Sequence, residues 1–294
     1  MTKLNEIALK RAPTALDQAL ASLKEQHIFD ALSRLPSLLI AFSGGADSAY
    51  LAWAGTRVLG KQALAVTALS PSYSQHDRKV AESFVRNHGI RHEWLATYET
   101  HNPLYVANDA DRCYHCKDEL FARMEELAAQ KGFSAIVYGI NADDTHDFRP
   151  GHRAAHEHKI LAPLLDAALT KHEIRHLSHR AGLETWDRPA SACLSSRVPY
   201  GTSVTPELLR KIECAEQAVR DLGFLQFRVR AHGNLARIEI DVAELPRTHD
   251  AHVSRSISDG VRNAGFEQVE IDPAGYRQGS LNEALFTKSA KMAT

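Results

Sequence analysis

No run of apolar residues in this 294-residue chain reaches the roughly 20 positions that a membrane-spanning helix needs, which argues against a helical membrane protein. Charge of one sign is also missing. Thirty-five lysines and arginines stand against 36 aspartates and glutamates, leaving no broad basic field for a nucleic-acid partner. Cysteine is scarce, at four residues. The opening residues are charged throughout and lack the apolar stretch of an export signal. The expected setting is therefore the cytoplasm, with reduced thiols rather than a disulfide framework. There is no internal repeat and no low-complexity tract. What is present is ordinary for a soluble globular protein, 44% apolar and 24% charged residues, in a length sufficient for two domains.

Strand and helix patterns alternate through the first part of the chain. Residues 38–42, "LLIAF", lie between Pro36 and Gly44-Gly45 and read as a buried strand. A helix over 49–60 closed by Gly60, a strand over 63–69, a helix over 76–89 and a strand over 91–99 follow. Leu120, Phe121, Met124, Leu127 and Ala128 form one stripe, which predicts a helix from about Lys117 to Gly132. Residues 135–141 read as another strand, followed by a polar loop. Thr170 and Glu173 have capping-box spacing ahead of a stripe of Ile174, Leu177 and Ala181. Such repetition with short connections implies a parallel sheet covered by helices.

The pattern changes after about residue 203. Thr205-Pro206 opens a helix whose inward positions are Leu208, Ile212, Ala215, Val219 and Leu222. Two strands joined near His232-Gly233-Asn234 follow, then a helix over about 248–264 and a strand at "EQVEID". The expected fold is α/β: a Rossmann-like parallel-sheet domain over 1–203, then a small α+β domain with an antiparallel sheet over 204–294. The histidines between 145 and 180 fit no standard ligand spacing and read as loop or solvated residues.

"AFSGGADS" (41–48) sits between the first strand and its helix, the ligand side of a parallel sheet. Gly44 and Gly45 let the backbone approach an anion, Ser43 and Ser48 add hydroxyls, and the helix brings free N–H groups and its positive end. The kinase-type G-x-x-x-x-G-K-[ST] loop is absent. The hexamer "SGGADS", with Asp47, instead matches the pyrophosphate loop of PP-loop ATPases, which split ATP between its α- and β-phosphates. Asn141, Asp143 and Asp144 follow a strand at its carboxyl end, where they would orient the nucleotide or its Mg2+, or cap the next segment.

Cys113 and Cys116 form a C-x-x-C beside basic residues. Cys193 lies in "DRPASACLSSRVPYG", flanked by Arg188 and Arg197, and cationic neighbours favour the thiolate that attacks carbonyls or binds metal. Three readings stay open for the pair: zinc, which wants a fourth ligand that Cys214 supplies poorly from a helix; a redox disulfide ahead of a helix; and an iron–sulfur cluster on three thiolates. In "FLQFRVRAHG", Phe227 and Val229 share one strand face and Arg228 and Arg230 the other. Two such arginines either clamp a phosphate or form a solvated face with a cross-strand ion pair.

Taken together, "SGGADS", "NPLYVANDADRCYHCKDELF", "YGINADDTHDFRPGHRAA", "RPASACLSSRVPYG" and "GYRQGSLNE" resemble the LarE family of ATP-dependent sulfur transferases, which help build the nickel-pincer cofactor of lactate racemase. The resemblance runs from about residue 35 to residue 283. It implies that ATP adenylates a carboxylate of pyridinium-3,5-biscarboxylic acid mononucleotide and that sulfur then displaces AMP. In single-cysteine members the residue matching Cys193 gives up its own sulfur. In others three cysteines hold a [4Fe-4S] cluster, and Cys113, Cys116 and Cys193 fit that type. The resemblance makes Arg228 and Arg230 ligands of the substrate phosphate. It places Glu216 and Glu239 near the same site as candidates for a divalent cation, and gives Cys193 and Arg197 the catalytic positions. It further implies a homo-oligomer and a supply of sulfur from a donor protein or free sulfide. A tRNA thiolation enzyme, which needs an RNA-binding surface, and a non-catalytic adenine-nucleotide sensor, which needs no thiolate, are the rival classes.

Overall fold

Four short strands follow the expected alternation. β1 (Leu38–Ala41), β2 (Ala63–Leu69), β3 (His92–Ala96) and β4 (Ala135–Tyr138) pair in parallel in the order β3-β2-β1-β4. This is a computed structural model, and it describes residues 14–146, 150–189, 191–277 and 279. Residues 147–149 of the polar loop, Ala190 and most of the "GYRQGSLNE" stretch lie outside the described residues. The chain divides into two compact units without a single cut. One comprises the chain up to Leu69, Gln75–Thr97 and Lys117–Ser191, and the other Ser70–Ser74, Tyr98–Cys116 and the chain from Ala192.

In the first unit the strands are apolar on both faces because helices cover both, as parallel sheets require. α1 (Ala15–Ser33), capped by a Thr14–Asp17 box, brings Ile28 and Leu32 into the core. α2 (Ala46–Leu59) contributes Ala49, Tyr50, Leu51 and Ala54. It ends at Gly60, whose φ of 54° suits a residue without Cβ. α3 (Gln75–Asn87) adds Phe84, stacked on Phe42 at 5.7 Å. The predicted capping box at Thr170 is present and opens α8, Lys171–Arg180, after three shorter helices named below. Ile174 and Leu177 are fully buried.

Three expectations need correction. α4 (Pro103–Val106) is followed by α5 (Arg112–Lys131), so the C-x-x-C lies inside the first turn of a helix rather than ahead of one. Cys113 and Cys116, three apart, therefore share a helix face. The polar loop after β4 is partly helical, with a 3-10 turn at Ala142–His146, α6 (Gly151–Glu157) and α7 (Pro163–Asp166). The small sheet of the second unit is mixed. β5 (Phe227–His232) pairs antiparallel with β6 (Leu235–Ile240), while β7 (Gln268–Ile271) pairs parallel to β6. The intervening α10 (Ala251–Asn263) is the crossover that parallel pairing demands. α9 (Pro206–Asp221) starts at the expected Thr205 cap with Pro206 at its first position, and Leu209 rather than Leu208 is the fully buried leucine of its first turn.

Close approach explains one glycine. A Cβ on Gly139, just past β4, would lie 2.8 Å from the Ser48 nitrogen and 2.9 Å from its Cα. The strand end thus packs against the backbone of the first turn of α2. We expect Gly139→Ala to cost about 1–3 kcal/mol by overpacking, read as a lowered urea midpoint; an unchanged midpoint would refute the close packing. A second expectation concerns His158, whose ring nitrogens lie 3.0 Å from Asp118 Oδ1 and 3.0 Å from Glu125 Oε2. Burial opposes its charge, but the two carboxylates outweigh burial and raise its pKa above the ordinary value. Its contribution is then complete below the usual histidine pKa and lost as pH rises through the raised one. His158→Asn should therefore destabilise more at pH 6 than at pH 8.5 in unfolding measurements.

Candidate functional site

In the first unit the loop between β1 and α2 is organised by its own hydroxyls. Ser43 and Ser48 Oγ atoms lie 3.1 Å apart, the Ser43 nitrogen donates to Ser48 Oγ at 3.1 Å, and Ser48 Oγ donates to the Gly45 carbonyl at 3.0 Å. Gly44 has φ of 74°, a region open chiefly to glycine. Gly45 is the N-cap of α2 and brings no side chain to cap it. The start of α2 thus meets the loop through backbone N–H groups and the positive end of the helix dipole.

Asp47, in the first turn of α2, accepts from Lys171 Nζ at 2.6 Å and from Asn141 Nδ2 at 3.2 Å. Asn141 Nδ2 also reaches Asp144 Oδ2 at 2.9 Å, and Asp143 Oδ2 accepts from the Lys171 nitrogen at 2.7 Å. Ser43, Gly44, Gly45, Asp47, Ser48, Asn141 and Asp144 are therefore brought to one end of the sheet, as their place after parallel strands predicts. Lys171 was not anticipated. Its position opening a capped helix was legible, but its partnership with Asp47 spans 124 residues. Tyr138, ending β4, has its pKa raised to about 12 by burial and by Asp144 and Asp166.

The second unit holds the three thiols. Cys113 is exposed, Cys193 is half-buried, and Cys116 packs against the apolar core of that unit. Burial pushes the Cys116 thiol well up, and the charges of Glu99, Cys193 and Cys113 push it further, with Arg112 opposing. The three sulfurs are therefore close enough to feel one another. Arg112 is buried and donates to Asn108 Oδ1, to the Ser195 carbonyl at 2.8 Å and towards Cys113 Sγ at 3.9 Å. Burial works against its charge, but Cys193, Cys113 and Tyr105 outweigh burial and raise its pKa. The cation serving the thiols is thus Arg112, beside the C-x-x-C, whereas Arg188 is committed within the first unit to Asp77 and the Gly44 carbonyl, each at 2.6 Å.

Residues outside the expected set complete this site. The Tyr105 hydroxyl and Ser195 Oγ lie 2.6 Å apart. Asn108 Nδ2 donates to the carbonyls of Val198, Pro199 and Thr202. Glu99, 2% exposed, accepts from Ser72 Oγ at 3.0 Å, while its Oε2 is buried without a hydrogen-bond partner among the described residues. Ser72 in turn offers its carbonyl to the nitrogen of Leu194, next to Cys193. Cys214 is exposed on α9.

Among the described residues no three His, Cys, Asp or Glu side chains converge closely enough to hold a single metal ion. A cluster makes no such demand, because its irons are ligated by separate thiolates. The donor set fits one: three soft sulfurs crowd their negative charges around a single guanidinium, and a group carrying several irons would relieve that repulsion.

The expected substrate arginines are tied to the expected acids. Arg197 Nε and Nη2 grip Glu216 at 2.8 and 3.1 Å, with 4% and 6% of the two side chains exposed. The same guanidinium donates to the carbonyls of Ala192 and Cys193. Arg230 grips Glu239 Oε2 through Nε at 3.0 Å and Nη2 at 2.8 Å and donates to the Ser196 carbonyl at 2.8 Å. Arg228, half-buried, faces Tyr276 at 5.1 Å. Burial and Arg197 lower its pKa. Burial opposes the Glu216 charge, yet Arg197 prevails and lowers that pKa. Five charged positions of the second unit thus form a buried lattice rather than a solvated strand face, and its donors end on the backbone around Cys193.

Removing one member of a buried pair leaves the other charge uncompensated. Glu216→Ala should cost about 3–5 kcal/mol in urea unfolding, and a loss below about 1 kcal/mol would show that the pair does not hold the loop.

No protein-family model matches the chain. Among curated proteins, it is 40% identical to an uncharacterised protein of Synechocystis over 89% of this chain and 98% of the relative. It is 32% identical to the pyridinium-3,5-bisthiocarboxylic acid mononucleotide synthase of Lactiplantibacillus plantarum, over 92% of this chain and 97% of that enzyme. An uncharacterised protein of Methanocaldococcus jannaschii is 26% identical over 82% of the chain. With near-complete coverage in both directions, the chain belongs to the family of the pyridinium-3,5-bisthiocarboxylic acid mononucleotide synthase, the LarE family.

Proposed function

We propose that the chain is an ATP-dependent sulfur transferase of nickel-pincer cofactor biosynthesis, acting on pyridinium-3,5-biscarboxylic acid mononucleotide. The observation that carries this reading is the gathering of Cys113, Cys116 and Cys193 around Arg112, in a chain whose relative is named for the bisthiocarboxylic acid product. A nucleotide sensor has no use for three thiols sharing a buried cation. Arg228 and Arg230, on one face of β5, fit the phosphate of a mononucleotide.

A carboxylate oxygen of the substrate attacks the α-phosphorus of ATP, and the bond to pyrophosphate breaks. The Ser43–Ser48 loop and the start of α2 receive the charge of the leaving pyrophosphate. Asp47 and Asp144, joined through the Asn141 amide, are the carboxylates that would hold the Mg2+ of the nucleotide. A sulfur nucleophile then attacks the acyl carbon and AMP leaves, giving the thiocarboxylate; the second carboxylate follows in the same way. Cys113, Cys116 and Cys193 would hold a [4Fe-4S] cluster, which supplies transferable sulfide when bound and spares Cys193. Without it, Cys193 gives up its own sulfur and is left as dehydroalanine. Arg197 holds the backbone of Cys193 in place by its carbonyl. Sulfur is replenished by a donor protein or free sulfide, and the working form is a cytoplasmic homo-oligomer.

The test is ATP–pyrophosphate exchange dependent on the pyridinium dicarboxylate mononucleotide, alongside iron and acid-labile sulfide per chain after anaerobic purification. We expect substrate-dependent exchange and about four irons, with the iron lost in Cys113→Ser. Exchange that stays silent with this substrate would sink the adenylation reading. An iron-free protein whose Cys193 loses the mass of one sulfur after a single turnover would replace the cluster by the sacrificial route.

A further inference from the structure

We infer that Arg188 is a positioning residue for the nucleotide loop, holding the Gly44–Gly45 peptide so that the Gly45 N–H faces the anion. This rests on the reading of that loop as the pyrophosphate site and deepens it.

The Arg188 side chain is 14% exposed and fixed at both ends. One terminal nitrogen donates to the Gly44 carbonyl at 2.6 Å and the other to Asp77 Oδ1 at 2.6 Å. Asp77, in the first turn of α3, also accepts from Ser191 Oγ at 2.9 Å. The Arg188 carbonyl accepts from Arg175 at 3.1 Å. The guanidinium is therefore aimed by α3 and α8 together and has little freedom to leave the loop.

Its target matters because of what lies across the peptide bond. The chain contains no cis peptide among the described residues, and in a trans unit the carbonyl and the N–H point in opposite directions. Holding the Gly44 oxygen on one side turns the Gly45 N–H to the other. There it points at Ser43 Oγ, 3.4 Å away, on the face where the Ser43 and Ser48 hydroxyls meet. Two consecutive glycines give this peptide little resistance to flipping. A flip would present a carbonyl oxygen, instead of an N–H, to a polyphosphate. A charge-assisted hydrogen bond on that oxygen stabilises the orientation that suits an anion.

The experiment is calorimetric titration of MgATP, pyrophosphate and AMP into wild type, Arg188→Gln, Arg188→Lys and Asp77→Asn, with thermal unfolding of each. We expect Arg188→Gln to weaken pyrophosphate and MgATP about tenfold, as for loss of a hydrogen bond to a charged group, while AMP binding and the unfolding temperature hold. Arg188→Lys should recover part of the loss through its single ammonium, and Asp77→Asn should show a smaller loss of the same kind. Equal weakening of AMP and pyrophosphate, with a falling unfolding temperature, would reduce Arg188 to general support and overturn the inference. So would unchanged pyrophosphate affinity in all three variants. A wild type that binds neither MgATP nor pyrophosphate would instead overturn the nucleotide reading itself. If Arg188→Gln does not fold, Arg188→Lys and Asp77→Asn still decide.

Discussion

The buried grip of Arg197 on Glu216 is the constraint on which the sulfur-bearing segment depends. A guanidinium and a carboxylate, each nearly without solvent, are costly to bury and stay only because their geometry and their further hydrogen bonds are satisfied. Here the spare donors of Arg197 end on the carbonyls of Ala192 and Cys193, and Glu216 also accepts from the nitrogen of Val229. One pair thereby fixes α9, the start of β5 and the backbone of a reactive cysteine. Arg230 repeats the device through Glu239 and the Ser196 carbonyl. A loop rich in serine and proline gains a defined shape without apolar packing of its own.

The nucleotide loop is built on the opposite principle. It carries no large side chain, and its shape comes from glycines, hydroxyls and what presses on it from outside. Gly139 lets the end of β4 approach the backbone at Ser48, and Lys171 balances the one acid in the first turn of α2. Such a site costs little to hold open and presents backbone N–H groups to charge, which suits a polyphosphate that must arrive, be split and depart. The thiol site differs again. It concentrates negative charge around Arg112 and leaves a buried Glu99 oxygen without a partner. Polar groups held unsatisfied in this way mark places where function is bought with stability.

Much of this was readable from local pattern. The strand at 38–42, the "SGGADS" loop and the Thr170 box need only neighbours within a few residues. Spacing alone could not reveal that the C-x-x-C lies inside α5, because Asp109 and Asp111 supply an unremarkable lead-in and the apolar stripe begins only at Leu120. The last strand, "EQVEID", was legible as a strand but not as a parallel one. Direction follows from the α10 crossover and not from composition.

The sequence by itself determined the alternation of strands and helices, the nucleotide loop, the three cysteines and the family, because each is written in residue type and short spacing. Tertiary structure alone decided which charge serves which site. Arg188 and Arg197 both flank Cys193 in the chain. The fold sends the first to the Gly44 carbonyl and the second to Glu216, and leaves Arg112 as the cation of the thiols. A guanidinium reaches several ångströms from its backbone and binds the best acceptor within that reach. Only packing decides which acceptor that is.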